Sequence, residues 1–162
     1  MSAWSYQPPI DAVLAGLKFR RLEYLGGQLA RDLITLFEDR LTTCELVVPV
    51  PLHWRRYLSR GYNQSAAIAR PLAKRLGLPF ENALRRCRAT PAQSRLSRAE
   101  RTGNLQGAFR IRRRARCRGR HVLLIDDVVT TGTTLDAAAR CLLAAGASSV
   151  SAVTAARTPD SQ

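Results

Sequence analysis

Two adjacent carboxylates, Asp126 and Asp127, end the apolar run His121-Val-Leu-Leu-Ile125, and the turn Thr130-Thr-Gly-Thr-Thr134 follows after Val128 and Val129. The run is β-branched and leucine-rich, which predicts a buried strand. In a parallel sheet such a strand delivers the residues after it to the carboxyl end, where open α/β folds bind ligands. Paired carboxylates there suit two tasks: accepting hydrogen bonds from vicinal sugar hydroxyls, or holding Mg2+. The threonine-rich turn bends into a helix carrying Leu135, Ala138, Ala139, Leu142 and Leu143 on one face. Successive backbone N–H groups in such a turn form an anion-binding nest, and the helix dipole adds partial positive charge. Gly132 permits a tight turn and close approach of a phosphate. The threonine hydroxyls add donors. A ligand with a sugar diol beside a phosphate is a ribose 5-phosphate. Neither G-x-x-x-x-G-K-[ST] nor G-x-G-x-x-G occurs, so the Walker-type and dinucleotide fingerprints are absent.

The flanking elements must position this segment. Ser149 to Ala156 reads as the next strand, giving a βαβ unit and hence a parallel sheet with a right-handed crossover. Leu46-Val-Val-Pro-Val-Pro51 reads as a buried strand ended by prolines. The loop from His53 to Asn63 holds Arg55, Arg56, Arg60, Gly61, Trp54, Tyr57 and Tyr62. A helix is predicted from Gln64 or Ser65 to Leu76, with Gly77 as C-cap. Pro71 is expected to kink that helix or to mark its true start. Residues 80–88 and Ala108 to Ile111 are strand candidates. Residues 89–104 read as a long, polar, basic loop. Seven arginines between Arg110 and Arg120 read as a solvated turn. Nearer the N-terminus, Ile10, Val13, Leu14 and Leu17 predict one helix. Leu25, Leu29, Leu33, Leu36 and Phe37 predict the core face of another, with Gly26-Gly27 as an interruption. No catalytic constellation is visible in residues 1–45.

The chain has 162 residues and a hydrophobic fraction of 46%, enough for one domain with a small extension. No segment has the apolar length of a membrane span, and no secretory signal is visible. Cys44, Cys87, Cys117 and Cys141 form no C-x-x-C pair, so free thiols in a reducing cytoplasm are expected. The net charge of +14 divides unevenly: −1 over residues 1–46, +17 over 47–120 and −2 over 121–162. Such a field attracts nucleic acid or a compact polyphosphate. Trp54, Tyr57 and Tyr62 would be available to stack bases. The competing explanation is a solvated arginine-rich face, since only two of the 26 basic residues are lysines.

Val122 to Thr134 resembles, without departure, the binding signature of type I phosphoribosyltransferases for 5-phosphoribosyl-1-pyrophosphate (PRPP). Val48 to Gln64, together with Gln93, Ser94, Leu96, Arg101, Asn104 and Phe109, resembles the ComF family, over about Ile10 to Arg157. The resemblance implies an α/β fold of the parallel-sheet, Rossmann-like type I phosphoribosyltransferase kind with a short N-terminal helical extension. Residues 1–45 would be that helical segment, a vestigial hood, and residues 46–162 the PRPP-binding domain. It further implies transfer of phosphoribose to a nitrogenous acceptor, and association with competence and DNA uptake. Asp126 and Asp127 would bind the ribose hydroxyls, and Thr130, Thr131, Gly132, Thr133 and Thr134 the 5-phosphate, with Val128 and Val129 between. Arg55, Arg56, Arg60 and Gly61 would form the pyrophosphate loop. Arg95, Arg98 and Arg101 would lie on the mobile loop, with Arg95 and Arg101 catalytic beside the two aspartates. Mg2+ would come with PRPP, touching no protein ligand except Asp126 and Asp127. Many ComF-type proteins begin with a four-cysteine zinc module; no such pair occurs here, so zinc is not expected. The implied partners are PRPP or another ribose phosphate, single-stranded DNA, competence helicase-type proteins and a second copy of the chain, with no membrane. The alternatives are a non-catalytic sensor of PRPP or nucleotide and a single-stranded nucleic-acid-binding accessory of the competence machinery.

Overall fold

Val122, Leu123, Leu124 and Ile125 are buried on both faces of their strand, so helices or loops must cover the sheet on both sides. The computed structural model describes residues 1–19, 24–53, 57–58, 61–87 and 107–159. Its main sheet holds four parallel strands: β1 (Ser2–Ser5), β2 (Leu46–Pro49), β5 (His121–Val129) and β6 (Ser149–Arg157). Their spatial order is β1-β6-β5-β2. A second, antiparallel pair is formed by β3 (Leu84–Arg86) and β4 (Phe109–Ile111). Register places Val47 opposite Leu123, and Leu124 opposite Ala152.

Side chains alternate across the sheet, so Leu123 and Ile125 face one layer while Val122 and Leu124 face the other. The first layer is α1 (Ile10–Phe19), α2 (Tyr24–Leu41) and α3 (Gln64–Leu76). The second is α4 (Thr133–Ala144) with the β3–β4 pair. The fold is thus the expected α/β parallel-sheet arrangement. Among the described residues no helix is long and apolar enough to cross a membrane. The Arg110–Arg120 turn exposes six of its seven arginines, Arg120 being partly buried.

Two local expectations are corrected, and a third is narrowed. Gly26 and Gly27 do not interrupt a helix; they lie inside α2. A Cβ on Gly26 would come within 2.3 Å of the Ala67 carbonyl oxygen of α3, so glycine is what lets the two helices touch. Tertiary packing of this kind outweighs a helix-propensity cost of about 1 kcal/mol. Leu36 is not a core residue: it is 53% exposed, and α2 leaves helical dihedrals at Phe37 (φ −131°, ψ 17°). Pro71 neither starts nor ends α3, which runs from Gln64 to Leu76 with Pro71 inside it. Proline has no N–H to donate to the carbonyl four residues back, that of Ala67. That carbonyl is the one Gly26 faces.

The caps of α3 follow the sequence. Asn63 accepts from the Ser65 N–H at 3.2 Å and ties the cap to β2 by donating to the Val50 carbonyl at 2.9 Å. Gly77 closes the helix in the left-handed region (φ 66°). β1 has no counterpart in the sequence reading. Its four residues are too few for a period-two signal, yet they pair in parallel with β6 from Ser2 to Ser5.

Candidate functional site

β5 continues beyond its apolar half, and Asp126 remains in register with Thr154 of β6. This carries Asp126 to the carboxyl end of the sheet while keeping it buried. Ser65, in the first turn of α3, donates its hydroxyl to Asp126 Oδ1 at 2.8 Å. The same oxygen accepts from the Asp127 N–H at 2.9 Å. Asp127 Oδ1 accepts from the Val128 N–H at 2.8 Å, and Asp127 Oδ2 lies 3.0 Å from Lys18 Nζ. The two carboxyl groups are therefore held from four directions: two backbone amides, the start of α3 and the end of α1.

Burial pushes the Asp126 carboxyl up to about 8; the adjacent Asp127 charge pushes the same way and the Ser65 hydroxyl opposes it. Asp126 is then mostly neutral at pH 7, beside an ionic Asp127–Lys18 pair. A folded-state pKa above the unfolded one means that the folded chain holds an extra proton across the interval between them. The contribution is favourable at low pH and is lost as pH rises toward about 8. Wild type is therefore expected to lose stability between about pH 5 and pH 8 more steeply than Asp126→Asn, by up to roughly 1 kcal/mol per pH unit. Thermal unfolding across that range checks it, and parallel curves for the two proteins would refute the buried carboxyl.

After Val129 the chain turns. Gly132 takes a left-handed conformation (φ 79°) at the N-cap of α4 and brings no side chain to cap it. The turn is braced by a 2.9 Å contact between the Thr131 and Thr133 hydroxyls, and by the Asp136 N–H donating to the Gly132 carbonyl at 2.9 Å. Thr130 and Thr131 are exposed, while Gly132, Thr133 and Thr134 are half-buried. Val128 packs against the α1–α3 layer, and Val129 accepts from the Thr158 N–H. The first N–H groups of α4 thus follow the carboxyl pair after a single turn of chain, an order that suits a diol with a nearby phosphate.

Of the expected residues, Asp126 is buried, while Asp127 to Thr134 are half-buried or exposed along the end of β5 and the turn into α4. Gly61 is exposed, with φ 82°, and its N–H bonds to the Tyr57 carbonyl. Arg55, Arg56, Arg60, Arg95, Arg98 and Arg101 lie outside the described residues, as does Trp54. Tyr57 is half exposed, but Tyr62 packs against the α1–α3 core, a poor position for stacking on a base. Two residues of the site escaped the sequence reading. Ser65 looked like an ordinary first-turn residue. Lys18 sat in a segment without visible chemistry, although it is one of only two lysines among 26 basic residues.

The profile of the family described as Phosphoribosyl transferase domain matches residues 63–162. The DNA utilization protein YhgH of Salmonella typhimurium (strain LT2) is 39% identical over 156 residues, 93% of this chain and 68% of that protein. Competence protein F of Haemophilus influenzae is 33% identical over 144 residues, covering 85% and 63% of the two chains. Among solved structures, the adenine phosphoribosyltransferase of Thermoanaerobacter pseudethanolicus superposes with a TM-score of 0.53 over 85% of this chain and 82% of that one. Its 17% sequence identity speaks for a common fold alone.

Proposed function

This chain belongs to the phosphoribosyl transferase domain family, among the ComF-type competence and DNA utilization proteins, and on that premise we propose that it binds a ribose 5-phosphate ligand, PRPP foremost. One observation carries the reading. The Asp126–Asp127 pair, on a sheet's carboxyl end, runs directly into a left-handed glycine and the uncapped start of α4. The pair would accept from the 2- and 3-hydroxyls, and the Thr130–Thr134 turn would hold the 5-phosphate.

The Asp126 and Asp127 carboxyl groups offer oxygen donors only, which suit a hard divalent cation. Among the described residues no group of three or more His, Cys, Asp or Glu side chains could hold a metal. Mg2+ therefore fits as an ion carried by the pyrophosphate, touching Asp126 or Asp127 at most. When bound, it would neutralise charge on the departing pyrophosphate. The chain's own part is to orient the ribose and, through Arg95 and Arg101, to stabilise pyrophosphate as the C1–oxygen bond breaks and an acceptor nitrogen bonds to C1. Calorimetry with PRPP, with and without Mg2+, tests the site. A pyrophosphate-release assay across a panel of nitrogenous bases tests transfer. Micromolar binding without release would favour a sensor over an enzyme; no binding at all would end the reading.

A second reading, nucleic-acid binding, is favoured by a different place in the fold. Arg114, Arg116 and Arg120, with Phe80 and Glu81, line a cleft of ≈420 Å³ beside Leu46, the first residue of β2. The Arg116 N–H donates to the Glu81 carboxylate at 3.1 Å, fixing the arginine turn over the cleft. The Arg70 guanidinium lies 4.3 Å from the Phe80 ring centroid. Among the described residues no carboxylate forms an ion pair with these arginines. If they meet phosphates, Arg114→Ala/Arg116→Ala/Arg120→Ala should reduce the slope of log affinity against log salt for single-stranded DNA by about 2. An unchanged slope would exclude the cleft as the DNA surface.

A further inference from the structure

α1 is anchored in the core by Leu14 and Leu17, both fully buried, and Lys18 follows directly in its last turn. The β1 register brings the N-terminal segment to the same end of the sheet: Trp4 and Val128 both lie opposite Ala156 of β6. Tyr6 then follows β1, and its ring centroid lies 5.9 Å from Lys18 Nζ. The ammonium so placed is 3.0 Å from Asp127 Oδ2, with the two side chains 20% and 17% exposed.

Fully exposed ion pairs contribute little, but this pair is largely removed from solvent. The end of α1 carries the partial negative charge of a helix C-terminus, which by itself would repel the carboxylates it faces. A phosphate-rich ligand would meet the same unfavourable field. Lys18 cancels it at the point where the ligand must approach. Asp127 Oδ1 is already fixed by the Val128 N–H, so the ammonium completes the orientation of the group without using every lone pair of Oδ2.

We propose that Lys18 is a positioning residue of the ribose-phosphate site: it fixes Asp127 as a hydroxyl acceptor and cancels its charge towards an incoming polyphosphate. This rests on the ribose-phosphate reading of the site. The N-terminal segment is then a wall of the site as well as a packing layer. A bound cation and Lys18 do overlapping work, so loss of the lysine increases the dependence of binding on Mg2+.

The test is calorimetry with ribose 5-phosphate and with PRPP, with and without Mg2+, on wild type, Lys18→Met and Lys18→Arg, alongside thermal unfolding of each. Lys18→Met should weaken metal-free PRPP binding roughly tenfold to a hundredfold. Added Mg2+ should restore most of that loss, and Lys18→Arg should stay within roughly fivefold of wild type, since the charge remains. A lysine that merely clamps α1 would lower the unfolding midpoint and leave the Mg2+ dependence unchanged. Should Lys18→Met unfold without cooperativity, Lys18→Gln against Lys18→Arg carries the same comparison. Wild-type binding matched or exceeded by Lys18→Met without metal overturns the proposal alone. Failure of the wild type to bind either ligand overturns the site reading, and the proposal with it.

Discussion

Asp126→Asn combined with Asp127→Asn should abolish ribose 5-phosphate and PRPP binding, weakening it at least about a hundredfold in calorimetry. Asp127 offers a charged acceptor and the mostly neutral Asp126 a weaker one; at roughly 1.5–3 kcal/mol for the charged hydrogen bond and roughly 0.5–1.5 kcal/mol for the neutral one, losing both costs on the order of two to three decades. The fold should survive. Asparagine keeps the shape of Asp126 and an oxygen for the Ser65 hydroxyl and the residue-127 N–H. Lys18 loses its partner but is 20% exposed and can reach water. Affinity of the double variant within tenfold of wild type would mean that the pair is a fold element and that phosphate alone recruits any ligand.

Gly26→Ala should be more damaging than a single added methyl group ordinarily is. Its Cβ would lie 2.3 Å from the Ala67 oxygen and 2.7 Å from the Ala67 carbonyl carbon, both backbone atoms that no rotamer change can move. Alanine raises helix propensity by about 1 kcal/mol, yet overpacking costs more, and a net loss of roughly 2–3 kcal/mol is expected. That corresponds to a fall in the unfolding midpoint on the order of 5–10 °C. Gly27 provides the internal comparison, because a Cβ there meets nothing within 4 Å. Gly27→Ala should be neutral or stabilising by up to about 1 kcal/mol. Equal midpoints for the two alanine variants would refute the close contact.

These residues also mark where the sequence was legible. Val122 to Thr134 is a local unit: strand, carboxylates, turn and helix follow one another, so spacing alone carries the arrangement. Ser65 and Lys18 reach the same carboxylates from α3 and α1, and nothing in their local surroundings announces it. The Gly26-Gly27 pair is no interruption, and Pro71 no helix start, for a related reason. Each breaks a helix by local rules, but here the absent side chain of one faces the carbonyl left over by the other. β1 was invisible because the strand it pairs with, β6, lies at the far end of the chain. The arginine-rich turn was read correctly as exposed, whereas the arginines of the two long loops fall outside the described residues.

The Gly26–Ala67 contact has a further consequence for rebuilding this protein. Ala67 lies two residues after Ser65, so the turn of α3 that rests on α2 is the turn that reaches Asp126. A carbonyl seated against a bare Cα has no adjustable parts, and any shift of α2 passes undamped to the serine. The N-terminal helices are therefore not an interchangeable cover. A graft of these helices from a relative must reproduce this single seating point to a few tenths of an ångström, or the Ser65 hydroxyl will move out of line with the Asp126 carboxyl.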